Sequence, residues 1–332
     1  MAVQRVLSVG LLLVSVALGS VAAGSDDEAG GSRTATERHG PYCGEAPPQD
    51  QPVVFAPGFI SKPGRMERAL VFSPDGTEAL FAETSADYRP RLLYTRQVDG
   101  RWSEPEPPSF ADVGNNTEAA FASDGRRLYF ASNRPPGAPP YQFDLWVAER
   151  EGDGWGSARR LPEPISSPAA EYHPTISAAG TLCFASTRSG NPDLFCARQS
   201  SDGEGLDLPE PVREINTEHQ EWDPYLAPDE SYLIFKSDRP GGLGEGDGYI
   251  TFRTPEGGWG EPRLIPPPIN TPLGDDVGDI SPDGRYLIFS RRRGDEMDVY
   301  WVRADVVLGP RRSDAAIEPE GSRRPSPPET NP

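Results

Sequence analysis

Lysine is almost missing from this chain. Lys62 and Lys236 are the two lysines, so nearly every basic residue is arginine, a bias that reads as compositional and points to no chemistry. Histidine is as scarce, with His39, His173 and His219 alone. No His-Glu-x-x-His pair exists, which excludes the zinc-protease helix, and there is no phosphate-cradling P-loop. The Gly-x-Ser-x-Gly elbow of serine hydrolases is absent too. Beyond the N-terminal segment, no apolar run is long enough to span a bilayer. Positive charge is in deficit, with a formal net charge of −19. Such a surface repels phosphate backbones, so nucleic acid is not an expected partner, and the acidity serves solubility.

Proline and glycine are in excess, at 38 and 35 residues, and they run through the middle of the chain. Helix interiors tolerate neither. Many short strands joined by turns would produce this composition, so an all-β fold is expected.

Residues 1–24 read as a secretory signal: Arg5, an apolar run from Val6 to Leu18, then small residues at Val21-Ala22-Ala23-Gly24. An uncleaved anchor helix is the alternative. Residues 25–50 read as a disordered linker and 309–332 as a disordered tail, both polar and poor in apolar residues. The folded part is then 51–308, in a protein expected to be secreted or periplasmic in a bacterial envelope, and monomeric.

A turn recurs at intervals of about 50 residues, the length of one four-stranded propeller blade with a long loop. It appears as Ser73-Pro74-Asp75-Gly76, Ser123-Asp124-Gly125, Ala178-Ala179-Gly180, Pro228-Asp229-Glu230 and Pro282-Asp283-Gly284. After each turn comes an alternating strand, such as Leu128-Tyr129-Phe130 or Leu287-Ile288-Phe289. Asp-Gly between two such strands is a hairpin signal, because glycine accepts positive φ at no steric cost. A small residue and an arginine follow: Ser132-Asn133-Arg134, Ser186-Thr187-Arg188, Ser237-Asp238-Arg239 and Ser290-Arg291-Arg292. An acid then opens an aromatic strand at Asp144, Asp193, Asp247 and Asp298. Arginine and acid are expected to pair within each repeat.

These residues resemble the TolB-type, WD40-like propeller repeat. The resemblance covers the folded part and fits best in repeats two and five. Repeat one lacks the Ser-x-Arg element, repeat three the turn aspartate, and repeat four has Glu230 where glycine is usual. It implies a β-propeller, a fold that often binds other macromolecules in bacterial envelopes. The α/β domain that precedes the propeller in TolB has no counterpart in the short segment before these repeats.

Five repeats give five blades, with six as the alternative. The last repeat supplies three strands. The segment Val53–Ile60 resembles the material that precedes later repeats, so it is expected to complete the last blade and close the ring.

Cys183 and Cys196 lie on adjacent strands of repeat three. They are either a cross-strand disulfide, which suits an exported protein, or two buried thiols. Cys43 falls in the linker with no evident partner.

Eight positions before the turn aspartate stand Glu67, Glu171, Glu221 and Asp275, with Glu118 nearby in repeat two. Tyr172, His173, Trp222, Asp223, Asp276 and Asp279 adjoin them. Innermost strands begin here, so these residues are candidates for one mouth of a central channel. The acids either cap turns and tie blades together, hold a cation, for which oxygen ligands suggest Ca²⁺, or include a catalytic carboxylate pair. No catalytic motif is present and no cofactor is required. The leading expectation is therefore a non-catalytic propeller that binds a protein or glycan. A glycan hydrolase using channel-mouth carboxylates and a cation-stabilised structural module are the alternatives.

Overall fold

The computed structural model describes residues 37–309, except 88, 135–138, 140 and 202–204. The expected signal, most of the linker and nearly all of the tail lie outside the described residues. What is described is all-β and propeller-like; its helices are a 3-10 turn at Tyr42–Gly44 and a single turn at Asp305–Leu308. No helix among the described residues is long and apolar enough to cross a membrane.

The repeats become successive antiparallel sheets. The first runs Met66–Phe72, Glu78–Thr84, Pro90–Val98, Arg101–Trp102. The second has the order Asn116–Phe121, Arg127–Ser132, Asp144–Glu151, Arg159–Arg160. The third runs Glu171–Ile176, Leu182–Ser186, Asp193–Ala197, Glu210–Pro211, and the fourth Glu221–Leu226, Tyr232–Ser237, Asp247–Phe252, Arg263–Leu264. In the last repeat Asp275–Asp276, Tyr286–Arg293 and Glu296–Arg303 are joined by Val53–Val54, with Val53 opposite Trp301 and Val54 opposite Tyr300. A single parallel pair, Met66 with Met297, connects this sheet to the first.

The turns work as their sequence suggests. In the first repeat Asp75 accepts from the Thr77 backbone N–H at 3.0 Å and from Ser73 Oγ at 2.6 Å, while Gly76 takes φ +71°. The same bonds recur at Asp283. Two departures from the repeat compensate each other. Repeat three has Ala179 at the aspartate position, and Glu230 from repeat four reaches across to accept from Ser177 Oγ at 2.8 Å.

Apolar side chains fill the spaces between successive sheets. Leu80, Phe121 and Phe130 lie between the first and second, and Val147, Phe184 and Phe195 between the second and third. Leu194, Phe235 and Tyr249 separate the third and fourth; Ile250, Ile265 and Phe289 the fourth and fifth. The fifth and first share Phe55, Phe72, Phe81 and Trp301.

Residues 37–50, expected as linker, are packed onto the fold. Cys43 is fully buried in the cluster between the fifth and first sheets, and Tyr42 stacks edge-on to Phe72 and Tyr286. Trp102 donates from its indole to Gly40 O at 2.8 Å. The polar composition hides two residues, Tyr42 and Cys43, that carry the anchoring. Cys183 and Cys196 face each other across adjacent strands and are joined as a disulfide.

Candidate functional site

The innermost strand of each of the first four sheets carries a register shift near its start. At the shift stands a non-glycine residue in the left-handed region: Ala69, Glu118, His173 and Asp223, with φ between 49° and 53°. Bulges of this kind re-aim side chains, and left-handed φ costs a non-glycine residue about 1–3 kcal/mol. In the fifth sheet the chain passes so close to its neighbour that a Cβ on Gly278 would lie 1.9 Å from Ile288 O.

The bulged residues gather with their neighbours around a small chamber of about 40 Å³, lined by Arg68, Glu118, His173, Asp223, Asp276 and Asp279 among others. His173 Nε2 sits 2.8 Å from Glu118 Oε1 and 2.7 Å from Asp223 Oδ1. Arg68 Nη2 donates to Glu118 at 2.8 Å, and Lys236 Nζ donates to Asp276 Oδ1 at 2.6 Å. Arg68 also approaches Asp276 at 3.8 Å. Burial alone would drive His173 toward the neutral form, but Asp223 and Glu118 outweigh it and raise its pKa to about 10. Burial likewise opposes ionisation of Asp276, yet Lys236 and Arg68 hold it down at about 2. Three cations thus face three carboxylates.

Asp279 differs. Its carboxyl lines the same chamber but receives no hydrogen bond among the described residues, and burial, opposed only by His173, raises its pKa to about 7. It also lines a second cavity of about 320 Å³. This one is apolar. Phe72, Phe121, Ile176, Leu226 and Ile280 contribute from the five innermost strands and the turns that follow them. Pro74, Pro228 and Pro282 rim it. The two cavities share Tyr225, Asp279 and Ile288, so they stack as a charged chamber and an apolar funnel.

The acids eight positions before the turn lie in equivalent places but not at this chamber. Glu171 accepts from Ser167 N at 2.9 Å, Ser186 Oγ at 3.0 Å and Arg188 Nη2 at 3.1 Å. Glu221 repeats the set with Thr217 N, Ser237 Oγ and Arg239, each at 3.0 Å. Asp275 takes Thr271 N at 2.8 Å and Arg291 Nε at 2.6 Å. All three are buried and tie the preceding loop to the sheet. Asn116 holds the equivalent position in the second sheet and accepts from Arg134 at 2.7 Å. Glu118 is therefore not the fifth member of that ring; it belongs to the axial network.

This arrangement corrects the expected arginine pairing. Arg188 and Arg239 pair with Glu171 and Glu221, and Arg291, not Arg292, does so with Asp275. Each guanidinium lies 5.0–5.2 Å from two aromatic rings of its own sheet, a path that leads away from Asp193 and Asp247. Asp144 instead takes Arg160, and Asp298 takes Arg293.

Repeat one lacks the Ser-x-Arg element, and Glu67 shows the consequence. Glu83 stands opposite it on the paired strand, and no side chain donates a hydrogen bond to the Glu67 carboxylate. Burial, then Glu83 and Asp298, push its pKa up to about 7.

Tyr172 and Trp222 are partly buried beside the network. Tyr172 packs against the cores on both sides of the third sheet, and Lys236 Nζ lies 5.9 Å over the Trp222 ring. Two charged members, Arg68 and Lys236, escape a reading based on recurring acids. For Lys236 a signal did exist: it is one of two lysines in an arginine-rich chain. Among the described residues no group of three or more His, Cys, Asp or Glu is arranged to hold a metal ion.

The sequence matches no protein-family model and no curated protein. Solved structures are similar at low identity. A protein of unknown function from Dyadobacter fermentans shares 14% identity over 77% of this chain and 83% of its own, with a TM-score of 0.48. A thermostable family-43 glycoside hydrolase shares 15% over 82% of this chain and 100% of its own, at 0.44. A puromycin-hydrolysing peptidase of Mycobacterium tuberculosis shares 17% over 73% of this chain at 0.42. The chain spans 36% of that peptidase's length.

Proposed function

We propose that this chain is an exported five-bladed β-propeller, closed by Val53–Val54 within the last blade, that binds a ligand at its axial funnel without transforming it. One observation carries the reading: a single apolar cavity of about 320 Å³ is lined from all five sheets, above charges that already neutralise one another. A concave, mainly apolar site with a few polar groups is the usual form of a ligand pocket. The cyclic order of the cores, with the fifth sheet packed on the first through Phe55, Phe72 and Trp301, supports the ring. The Cys183–Cys196 disulfide suits an oxidising compartment.

A second reading has a specific observation behind it. A carboxyl with a pKa of about 7 facing a cavity is suited to general acid catalysis, and Asp279 is such a group. Its support is weaker, because the neighbouring carboxylates Glu118, Asp223 and Asp276 are each bound to a cation, so no second free acid or base stands beside it. Aryl glycosides and peptide p-nitroanilides decide between the readings. The binding reading expects no turnover above buffer by the wild-type protein; turnover that disappears in Asp279→Asn would replace it with the catalytic one.

A further inference from the structure

The axial site holds one acid, Asp279, to which no protein cation is bonded. Arg68, His173 and Lys236 are matched by Glu118, Asp223 and Asp276 through contacts of 2.6–2.8 Å. Asp279 lies outside this exchange, at the boundary between the charged chamber and the apolar funnel, with no hydrogen bond to its carboxylate among the described residues. Above it the walls offer Phe72, Phe121, Ile176 and Ile280, surfaces suited to an apolar body rather than to a hydrated ion. We infer that the funnel binds an organic cation, an ammonium group carried on an apolar body, with the ammonium at Asp279 and the body against these four side chains. The inference rests on the reading of the funnel as the binding site, and it names the ligand's chemistry.

Burial raises the Asp279 pKa to about 7, so its carboxyl is partly protonated at neutral pH, and a cation bound beside it favours the carboxylate. An anionic ligand would add a second negative charge beside Asp279 with no protein cation free to meet it. A neutral ligand would fill the walls but leave the carboxyl as it is. The net charge of −19 also draws cations toward the molecule from a distance. With His173 held protonated by Asp223 and Glu118, the chamber below Asp279 stays balanced at neutral pH, and none of its cations is left to bond Asp279.

Titration calorimetry on the full chain tests this with phenethylammonium, its neutral counterpart 2-phenylethanol, and phenylacetate. The ammonium should bind at least about tenfold more tightly than the alcohol, and the anion should bind most weakly. In Asp279→Asn the ammonium should fall to the alcohol's affinity, while the alcohol is unchanged. Equal affinities for ammonium and alcohol in the wild-type protein would overturn the cation inference and leave the funnel as a binding site; this comparison does not depend on any variant folding. Ammonium binding that survives intact in Ile176→Arg, which fills the funnel, would place the site elsewhere and overturn both. A peptide with a free N-terminal phenylalanine, set against its acetylated form, then distinguishes a peptide amine from a small free amine as the source.

Discussion

At the residue scale, the same carboxylate position has opposite energetic signs in different repeats. Glu171 is fully buried yet holds a serine N–H, two hydroxyls and the Arg188 guanidinium. Removing one partner of such a pair leaves a buried charge unpaired, so Arg188→Ala should cost about 3 kcal/mol in a urea melt. Glu67 is equally buried but has no side-chain donor, only the Lys62 backbone opposing its burial, and its pKa of about 7 lies above its ordinary value of 4.5. A carboxyl whose folded pKa is raised destabilises the fold as pH climbs from the ordinary value through the raised one. Glu67→Gln should therefore leave stability unchanged at pH 4 and increase it by on the order of 2 kcal/mol at pH 8. Melts at the two pH values check this, and equal effects at both would contradict it. The sequence shows the acids and their recurrence plainly, and shows that repeat one lacks the arginine. What it conceals is direction. Nothing in the spacing of Arg188 and Asp193 reveals that the guanidinium turns back across Phe184 and Phe195 toward Glu171.

At the scale of the element, the bulge in the innermost strand of each of the first four sheets decides what reaches the axis. An unbroken strand would alternate its side chains between two faces. The shift between Tyr172 and Thr175, with His173 at φ 50°, delivers the imidazole to Glu118 and Asp223 instead. Gly278 serves the corresponding stretch of the fifth sheet by omission, since it leaves room for the Ile288 carbonyl. Gly278→Ala should displace Asp279 from the funnel floor and destabilise the protein by about 2–4 kcal/mol, within the range of overpacked and strained sites. A melt within 0.5 kcal/mol of wild type would show that the close approach is not as tight as described. Sequence reading finds the strands on either side of each turn because their alternation is regular. It does not find the bulges, since Glu118, His173 and Asp223 share no residue type and none is glycine. The axial network was thus visible only as a neighbourhood of acids.

At the scale of the molecule, the proposed closed ring requires the chain's two ends to meet in one sheet. Phe55 N–H donates to Val299 O at 2.8 Å, and Phe55, Phe59 and Ile60 are buried with Trp301 in the seam between the fifth and first sheets. Without Val53–Val54 the fifth sheet would end at Glu296–Arg303 as an open edge. The pairing of Val53–Val54 with the last repeat was legible in the sequence because Pro52–Ile60 resembles the segments before later repeats. The anchoring of 37–50 was not, because two buried residues in a polar stretch leave no periodicity to read. Hydrogen–deuterium exchange of the peptide covering 53–60 tests the central claim most directly. If the ring is closed as proposed, the Phe55 and Ile60 amides exchange only through global unfolding, as slowly as those of Val299–Val302. Exchange of 53–60 at the rate of an unstructured peptide, while 299–302 stays protected, would contradict it.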